Sequence, residues 1–530
     1  MKLIKYDAVT SERAFMSGVL ILTVSTVIVK IIGLAYKIPL LSVLGAEGMG
    51  YFNSAYEIYA LLCGVATSGM PVAVSMLISS ANKKGDFRRE NGVYRTASAI
   101  MVTKGVLFSG GLAIFAEPIA VLIGNHEAYP AILCISPALF FSCAAGAVRG
   151  YFQGKRDMLP TAISQLTEAF GKLLFGVVFA LFAIRSGANL YFAAAMGILG
   201  VSLGSLLSAL YLFAKKIRFK ADSHSNKAPY RCSYFWEIFK ISLPITAGSA
   251  LMGTSRMIDM AFIMRRLQDI GVSASDANKI YGSYTTLAIP VFSLVPAFIP
   301  PITESLIPRL SAAVAVGDTE EQKSAVGNAF RLTAFLAMPA GMGIILYAGQ
   351  IISLLFPSSP EAVNIAAPLL SSLGASVLLS CLVTTSCAVL QSYGRVMLPI
   401  IALGVGAAVK AVSAYILIGM PDIASLGAPI STLLFNVTVM VLDLIFVTGT
   451  VKGKIAFAWG MVKIFVCSAT AILASYVVYL SLCAKLDGTA LPFLAAIACA
   501  AVAYFSLCLL LGVIGKDDIA VISHKRLKTN

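Results

Sequence analysis

Lys30, Lys37, Lys172 and Lys410 interrupt long apolar stretches, and few acids accompany them. A charge at membrane depth costs several kcal/mol unless paired or hydrated, so each such residue is a candidate for binding or coupling. Lys30 and Lys37 are seven residues apart, nearly two helical turns, and project from one face. Glu168 and Lys172 are four apart and can pair along a helix. Lys172 lies twelve residues after Pro160, and Lys410 eleven after Pro399. At about 1.5 Å per residue both reach the middle of a bilayer. Arg256 and Asp259 are three apart, while Glu57 and Asp443 are isolated acids. Ammonium groups lining a central cleft suit a phosphate-bearing substrate and oppose organic cations. Each is a point charge that can grip a diphosphate without demanding one geometry. Structural readings compete. Glu168–Lys172 also fits a plain ion pair, Lys37 and Arg256 lie near outer ends from which they could snorkel, and Lys104 and Lys463 read as structural.

The surrounding composition requires a membrane. Of 530 residues, 58% are hydrophobic and 12% charged, against about a quarter charged in a soluble domain. The net charge of +15 falls largely in loops beside apolar runs, the pattern of the positive-inside rule, and argues against a nucleic-acid partner. The ten cysteines occur singly and the three histidines are far apart, so neither a zinc site nor a redox motif is expected. Residues 1–13 are polar, and the apolar run after them lacks a cleavage site, so Ser17–Ile38 should be retained as the first span.

Fourteen helical spans are expected, near 17–38, 49–80, 96–122, 130–152, 160–184, 191–214, 235–264, 279–303, 326–348, 361–390, 398–419, 426–448, 458–482 and 491–514. They must be helices because lipid offers no partner for unpaired backbone groups and a barrel's alternation is absent. Alternate loops, starting from the N-terminus, hold 26 of the 40 Lys and Arg, Arg149 among them, and the opposite loops only five, which puts both termini in the cytoplasm. The chain also repeats. ANKKGD (81–86) recurs as AVAVGD (313–318), DMLP (157–160) as VMLP (396–399), and Tyr51 as Tyr281. Two parallel six-helix repeats follow, at 1–232 (with the following linker) and 233–450, with two further spans and a tail at 451–530.

With those segments in view, GYFQGKRDMLPTAISQLTEAFGK (150–172) resembles the hallmark of bacterial polysaccharide transporters of the stage V sporulation protein B type. In that hallmark a GxxQG turn and an M-x-P start lead into an SQxxE helix with a cation four residues after the Glu. That cation is commonly Arg in the family and is Lys172 here, which loses the bidentate fork. VKIIGLAYKIPLLSVLGAEGMGYFNSAYEIY (29–59), IDMAFIMRRL (258–267), IYGSYTTLAIPVFSLVPAFIPPITESLIPRLS (280–311) and LQSYGRVMLP (390–399) are similar to further family segments, in order, across the first twelve spans. The resemblance implies membership of the multidrug/oligosaccharidyl-lipid/polysaccharide flippase superfamily. Its implied fold is two six-helix lobes in a V around a cationic cavity, with two C-terminal helices that can form a lipid-tail groove. The implied activity moves an undecaprenyl-diphosphate-linked saccharide, such as lipid II, from the inner to the outer leaflet of the bacterial cytoplasmic membrane. Membrane lipids and cell-envelope synthesis enzymes are the implied partners.

The expected mechanism is alternating access, with Lys30, Lys172 and Lys410, helped by Lys37 and Arg256, holding the diphosphate. Glu168 and Glu57 are supporting acids, and Asp259 is the candidate for Na⁺ or H⁺ coupling. No cofactor is expected, and Pro71, Pro244, Pro290, Pro296, Pro300 and Pro301 supply bends. A cation-coupled multidrug exporter would need acids facing the cavity, whereas the deep charges lean positive. A membrane glycosyltransferase would need a substantial aqueous loop with clustered Asp, His or Arg, and the outer loops are short. A non-transporting scaffold would leave the buried charges and the repeat without purpose.

Overall fold

The computed structural model describes residues 2–219, 232–451, 458–485 and 490–513. Among them the regular structure is helical throughout. The helices are α1 (Lys2–Thr67), α2 (Gly69–Lys83), α3 (Phe87–Ile114), α4 (Ala116–Leu122), α5 (Tyr129–Gly154), α6 (Leu159–Arg185), α7 (Leu190–Arg218), α8 (Cys232–Asp269) and α9 (Ala274–Ser283). They continue as α10 (Ile289–Leu294), α11 (Pro300–Val316), α12 (Thr319–Leu355), α13 (Pro360–Ser392), α14 (Met397–Ile418), α15 (Gly427–Thr450), α16 (Ala458–Cys483) and α17 (Ala490–Leu510). Twelve helical segments among the described residues are long and apolar enough to cross a membrane. One of them, Val24–Asn82, holds the first two expected spans, separated where Gly45 leaves the helical region at φ 64°. The expected seventh span, α8, is not among the twelve; it carries Glu237, Lys240, Arg256 and Asp259. The second expected span is also interrupted, between Thr67 and Gly69. The basic residues Lys220–Arg231, Lys452, Lys454 and Lys516 onward lie outside the described residues.

The sequence repeat takes physical form in its turns. Gly85 and Gly317, the fifth residues of ANKKGD and AVAVGD, adopt φ of 66° and 78°, the left-handed conformation that ends a helix at little cost only for glycine. The aspartate after each caps the next helix. Asp86 accepts from the Arg89 N–H at 2.9 Å and Asp318 from the Glu321 N–H at 3.0 Å, filling donors that a helix start leaves open. The turns just before DMLP and VMLP each contain one left-handed residue, Arg156 and Gly394, and the two segments lead into α6 and α14.

Two compact units divide the chain, Met1–Thr286 and Leu287–Asn530. The first therefore includes α8 and α9, which sequence reasoning assigns to the second repeat. Close backbone approach accounts for this: a Cβ on Gly50 would lie 2.6 Å from Asn278 Oδ1, and one on Gly282 would collide with the Ala46 carbonyl. Asn125 Nδ2 donates to Asn278 Oδ1 at 2.8 Å and to Ser54 at 3.0 Å, so these buried amides at the seam between α1 and α9 are paired. The core of this unit packs Val74, Ile78, Val93, Met101, Val148, Phe152, Leu212 and Ile238. In the second unit α16 and α17 dock on α12. Tyr504 donates to the Phe335 carbonyl at 2.8 Å, and the Tyr347 and Ser475 hydroxyls pair at 2.9 Å. Ala334, Ile464, Cys467 and Cys508 fill that contact.

Candidate functional site

Three of the lysines singled out by sequence meet in one cavity of the first unit. Its volume is about 220 Å³, and Lys30, Lys37 and Lys172 line it together with Tyr36, Asn53 and Tyr56. The helical spacing of Lys30 and Lys37 places their α-carbons about 10 Å apart on one face of α1. Lys172 comes from α6, which packs on α1, and no acidic side chain is among the lining residues.

Behind Lys172 lies a charge triad. Glu168 Oε1 accepts from Lys172 Nζ at 3.0 Å, and Glu168 Oε2 accepts from an Arg149 amino group, also at 3.0 Å. All three side chains are at most 21% exposed. Arg149 donates as well to the Ser164 and Ser208 hydroxyls, at 3.1 and 2.9 Å. One carboxylate thus serves two cations, and the triad retains a net positive charge. Sequence reasoning placed Arg149 in a cytoplasmic loop; it lies inside α5 and turns inward. Glycine makes this packing feasible on the α7 side. A Cβ on Gly204 would sit 2.6 Å from the Glu168 carbonyl and 3.2 Å from Lys172 Cγ.

The sequence matches the family described as polysaccharide biosynthesis protein over residues 15–314, more than half of the chain. The chain belongs to that family. A match to the family described as MatE covers residues 244–416. Among curated proteins of Bacillus subtilis, this family member is 26% identical over 409 residues to an uncharacterized membrane protein, YabM, covering 76% of this chain and 75% of that protein. It is 25% identical to stage V sporulation protein B, covering 67% and 69%, and 25% identical to lipid II flippase MurJ, covering 74% and 76%. Among solved structures, lipid II flippase MurJ in an inward closed conformation superposes with a TM-score of 0.69 at 15% identity, over 93% of this chain and 98% of that one. An inward-facing multidrug resistance MATE family transporter of the MOP superfamily gives 0.66 at 15% identity, over 82% and 97%. This member of the polysaccharide biosynthesis family therefore shares the polytopic helical fold of those two structures.

The remaining candidates of this family member lie away from the cavity lining. Arg256 Nε, half exposed on α8, approaches Glu57 Oε2 of α1 at 3.5 Å. Asp259 is buried on α8. Lys410 is buried on α14 of the second unit, 2% exposed. Lys463 donates to the Leu511 carbonyl at the end of α17 at 3.1 Å. Among the described residues no group of His, Cys, Asp and Glu could hold a metal ion. The second unit contains an apolar cavity of about 360 Å³ between α12, α16 and α17, lined by Phe335, Gly343, Tyr347, Phe493, Ala500 and Tyr504 among others.

Proposed function

We propose that this protein is a flippase for a polyprenyl-diphosphate-linked saccharide, lipid II or a related cell-envelope precursor, and carries it from the inner to the outer leaflet of a bacterial cytoplasmic membrane. The observation that carries the reading is the first-unit cavity, where Lys30, Lys37 and Lys172 face shared space with no lining acid. Ammonium groups of this kind bind phosphate oxygens strongly once water is excluded. Glu168 does not cancel them, because it is shared with Arg149. The relative named a lipid II flippase supports the substrate class. The apolar cavity formed by α12, α16 and α17 has the chemistry to shelter a polyprenyl chain while the headgroup moves. Both termini are proposed to be cytoplasmic, from the loop charges. The proposed cycle is alternating access, with the headgroup site open first to the inner leaflet and then to the outer.

The test is reconstitution in liposomes with labelled lipid II and other prenyl-diphosphate sugars, reading appearance in the outer leaflet. The triple replacement of Lys30, Lys37 and Lys172 by Ala should abolish appearance while leaving membrane insertion intact. Lys410→Ala, made separately, tests the second unit's cation. Wild-type transport by the triple variant would sink the site assignment. Efflux of organic cations by cells expressing the chain would favour an exporter instead, although the cavity lacks the lining acid such a substrate needs.

A further inference from the structure

Two residues that line the cavity also hold a break in the eighth expected span. Residues Tyr284–Ala288 form a π-turn between α9 and α10, and such turns inside α-helices are frequent at functional sites. The turn has a specific defect. In the i→i+5 register the Thr285 carbonyl would pair with residue 290, which is proline and has no N–H. The missing donor comes from the cavity: Lys37 Nζ donates to the Thr285 carbonyl at 2.8 Å. One residue on, Asn53 Nδ2 donates to Thr286 Oγ1 at 2.7 Å, and Asn53 also lines the cavity. The chain passes from the first compact unit to the second at Thr286–Leu287, within this same turn.

We propose that the π-turn senses occupancy of the cavity: a diphosphate draws the Lys37 ammonium off the Thr285 carbonyl and loosens the turn at the junction of the two units. Lys37 then has two roles in sequence, as a donor to the backbone when the cavity is empty and as a substrate cation when it is full. Asn53 is a positioning residue that keeps the turn beside the cavity in both conditions. Pro290 is what makes the arrangement switchable, because it denies the carbonyl any backbone partner in the π register. This inference rests on the cavity being the headgroup site.

The experiment uses the purified full chain in detergent with inorganic pyrophosphate as the probe. Calorimetry reads binding, and amide hydrogen exchange over 284–291 reads the turn. Saturating pyrophosphate should raise exchange in that segment about tenfold, the scale for loss of one hydrogen bond. Lys37→Met should show the raised exchange without pyrophosphate. Pro290→Ala supplies a backbone N–H in place of the Lys37 donor, so this variant should bind pyrophosphate up to about tenfold more tightly, because binding no longer costs the Lys37 bond, while its exchange no longer responds. Binding by the wild type with no change over 284–291, or a Pro290→Ala variant that responds like the wild type, would overturn the coupling and leave the site intact. Absence of pyrophosphate binding altogether would remove the headgroup reading and the coupling with it.

Discussion

Replacing Glu168 by Gln separates the two duties of the charge triad, because they change in opposite directions. The carboxylate lies 3.0 Å from cations on both sides. At an effective dielectric of about 20, each contact is worth about 5 kcal/mol before desolvation. Breaking a buried pair by removing one partner typically costs about 3–5 kcal/mol. Arg149 keeps its bonds to Ser164 and Ser208, which favours the lower end, about 3 kcal/mol of folding stability. Anion binding moves the other way. A phosphate held by Lys172 stands about 6 Å from the lost negative charge, and a repulsion of about 3 kcal/mol at that dielectric, roughly halved by screening, corresponds to about tenfold tighter binding. Chemical unfolding followed by circular dichroism reads the first effect, and calorimetry with pyrophosphate reads the second. The Glu168→Gln protein should thus be less stable and a better anion binder. Unchanged or weaker binding would mean that Lys172 does not present its charge to the ligand, and the electrostatic account of the cavity would fall.

Lys172→Arg should retain lipid-linked substrate transport in liposomes within about tenfold, since positive charge rather than the ammonium's shape is what the cavity supplies; loss equal to that of Lys172→Ala would contradict this. Gly204→Leu should lower stability by about 1–3 kcal/mol, the usual scale for overpacking, because its side chain would force α7 away from the Glu168 carbonyl; thermal unfolding of the detergent-solubilised protein reads it. Ala500→Trp should fill the cavity between α12, α16 and α17 and slow transport of a full-length prenyl substrate, with pyrophosphate affinity unchanged. An equal effect on both would show that the cavity has no separate role for the lipid chain. Asp443→Asn should leave stability within about 1 kcal/mol, since the fully buried carboxyl has one oxygen without a hydrogen-bond partner and the other only 3.8 Å from the Cys387 sulfur and no strong pair is broken; a loss beyond about 3 kcal/mol in the same unfolding assay would reveal an electrostatic partner that the structure does not display.

The membrane fold was legible because apolar length is a one-dimensional property, and so were the repeat turns, whose Gly-Asp pairs encode a left-handed stop followed by a cap. The convergence of Lys30 and Lys37 was legible for the same reason, since a seven-residue spacing fixes a shared face wherever the helix goes. Arg149 was misplaced because a cation near the end of an apolar run looks the same whether it reaches water or turns inward. Only its partners, Ser164, Glu168 and Ser208 from α6 and α7, decide between the two. Arg256 is a second case, since packing brings it beside Glu57 of α1, a contact between residues about 200 apart that spacing along the chain does not indicate. The compact unit Met1–Thr286 runs past the repeat boundary expected at 232, and the close backbone approaches at Gly50 and Gly282 are contacts of a kind that joins residues far apart in sequence.

These readings converge on why lysines persist at such depth in this chain. An isolated ammonium in hydrocarbon would be driven to lose its charge or pull in water, and a private carboxylate for each would leave the cavity without a field. The triad takes an intermediate course: Arg149 occupies one side of Glu168, so the other side steadies Lys172 without neutralising the group as a whole. Lys37 is steadied by a neutral carbonyl instead, at Thr285. Both cations are held in place when the cavity is empty, and both supports can be given up to a multiply charged anion, whose attraction for each ammonium exceeds that of a peptide carbonyl or a shared carboxylate. A phosphate-bearing headgroup meets this arrangement, whereas an organic cation would have to enter against every fixed charge that the cavity lining presents.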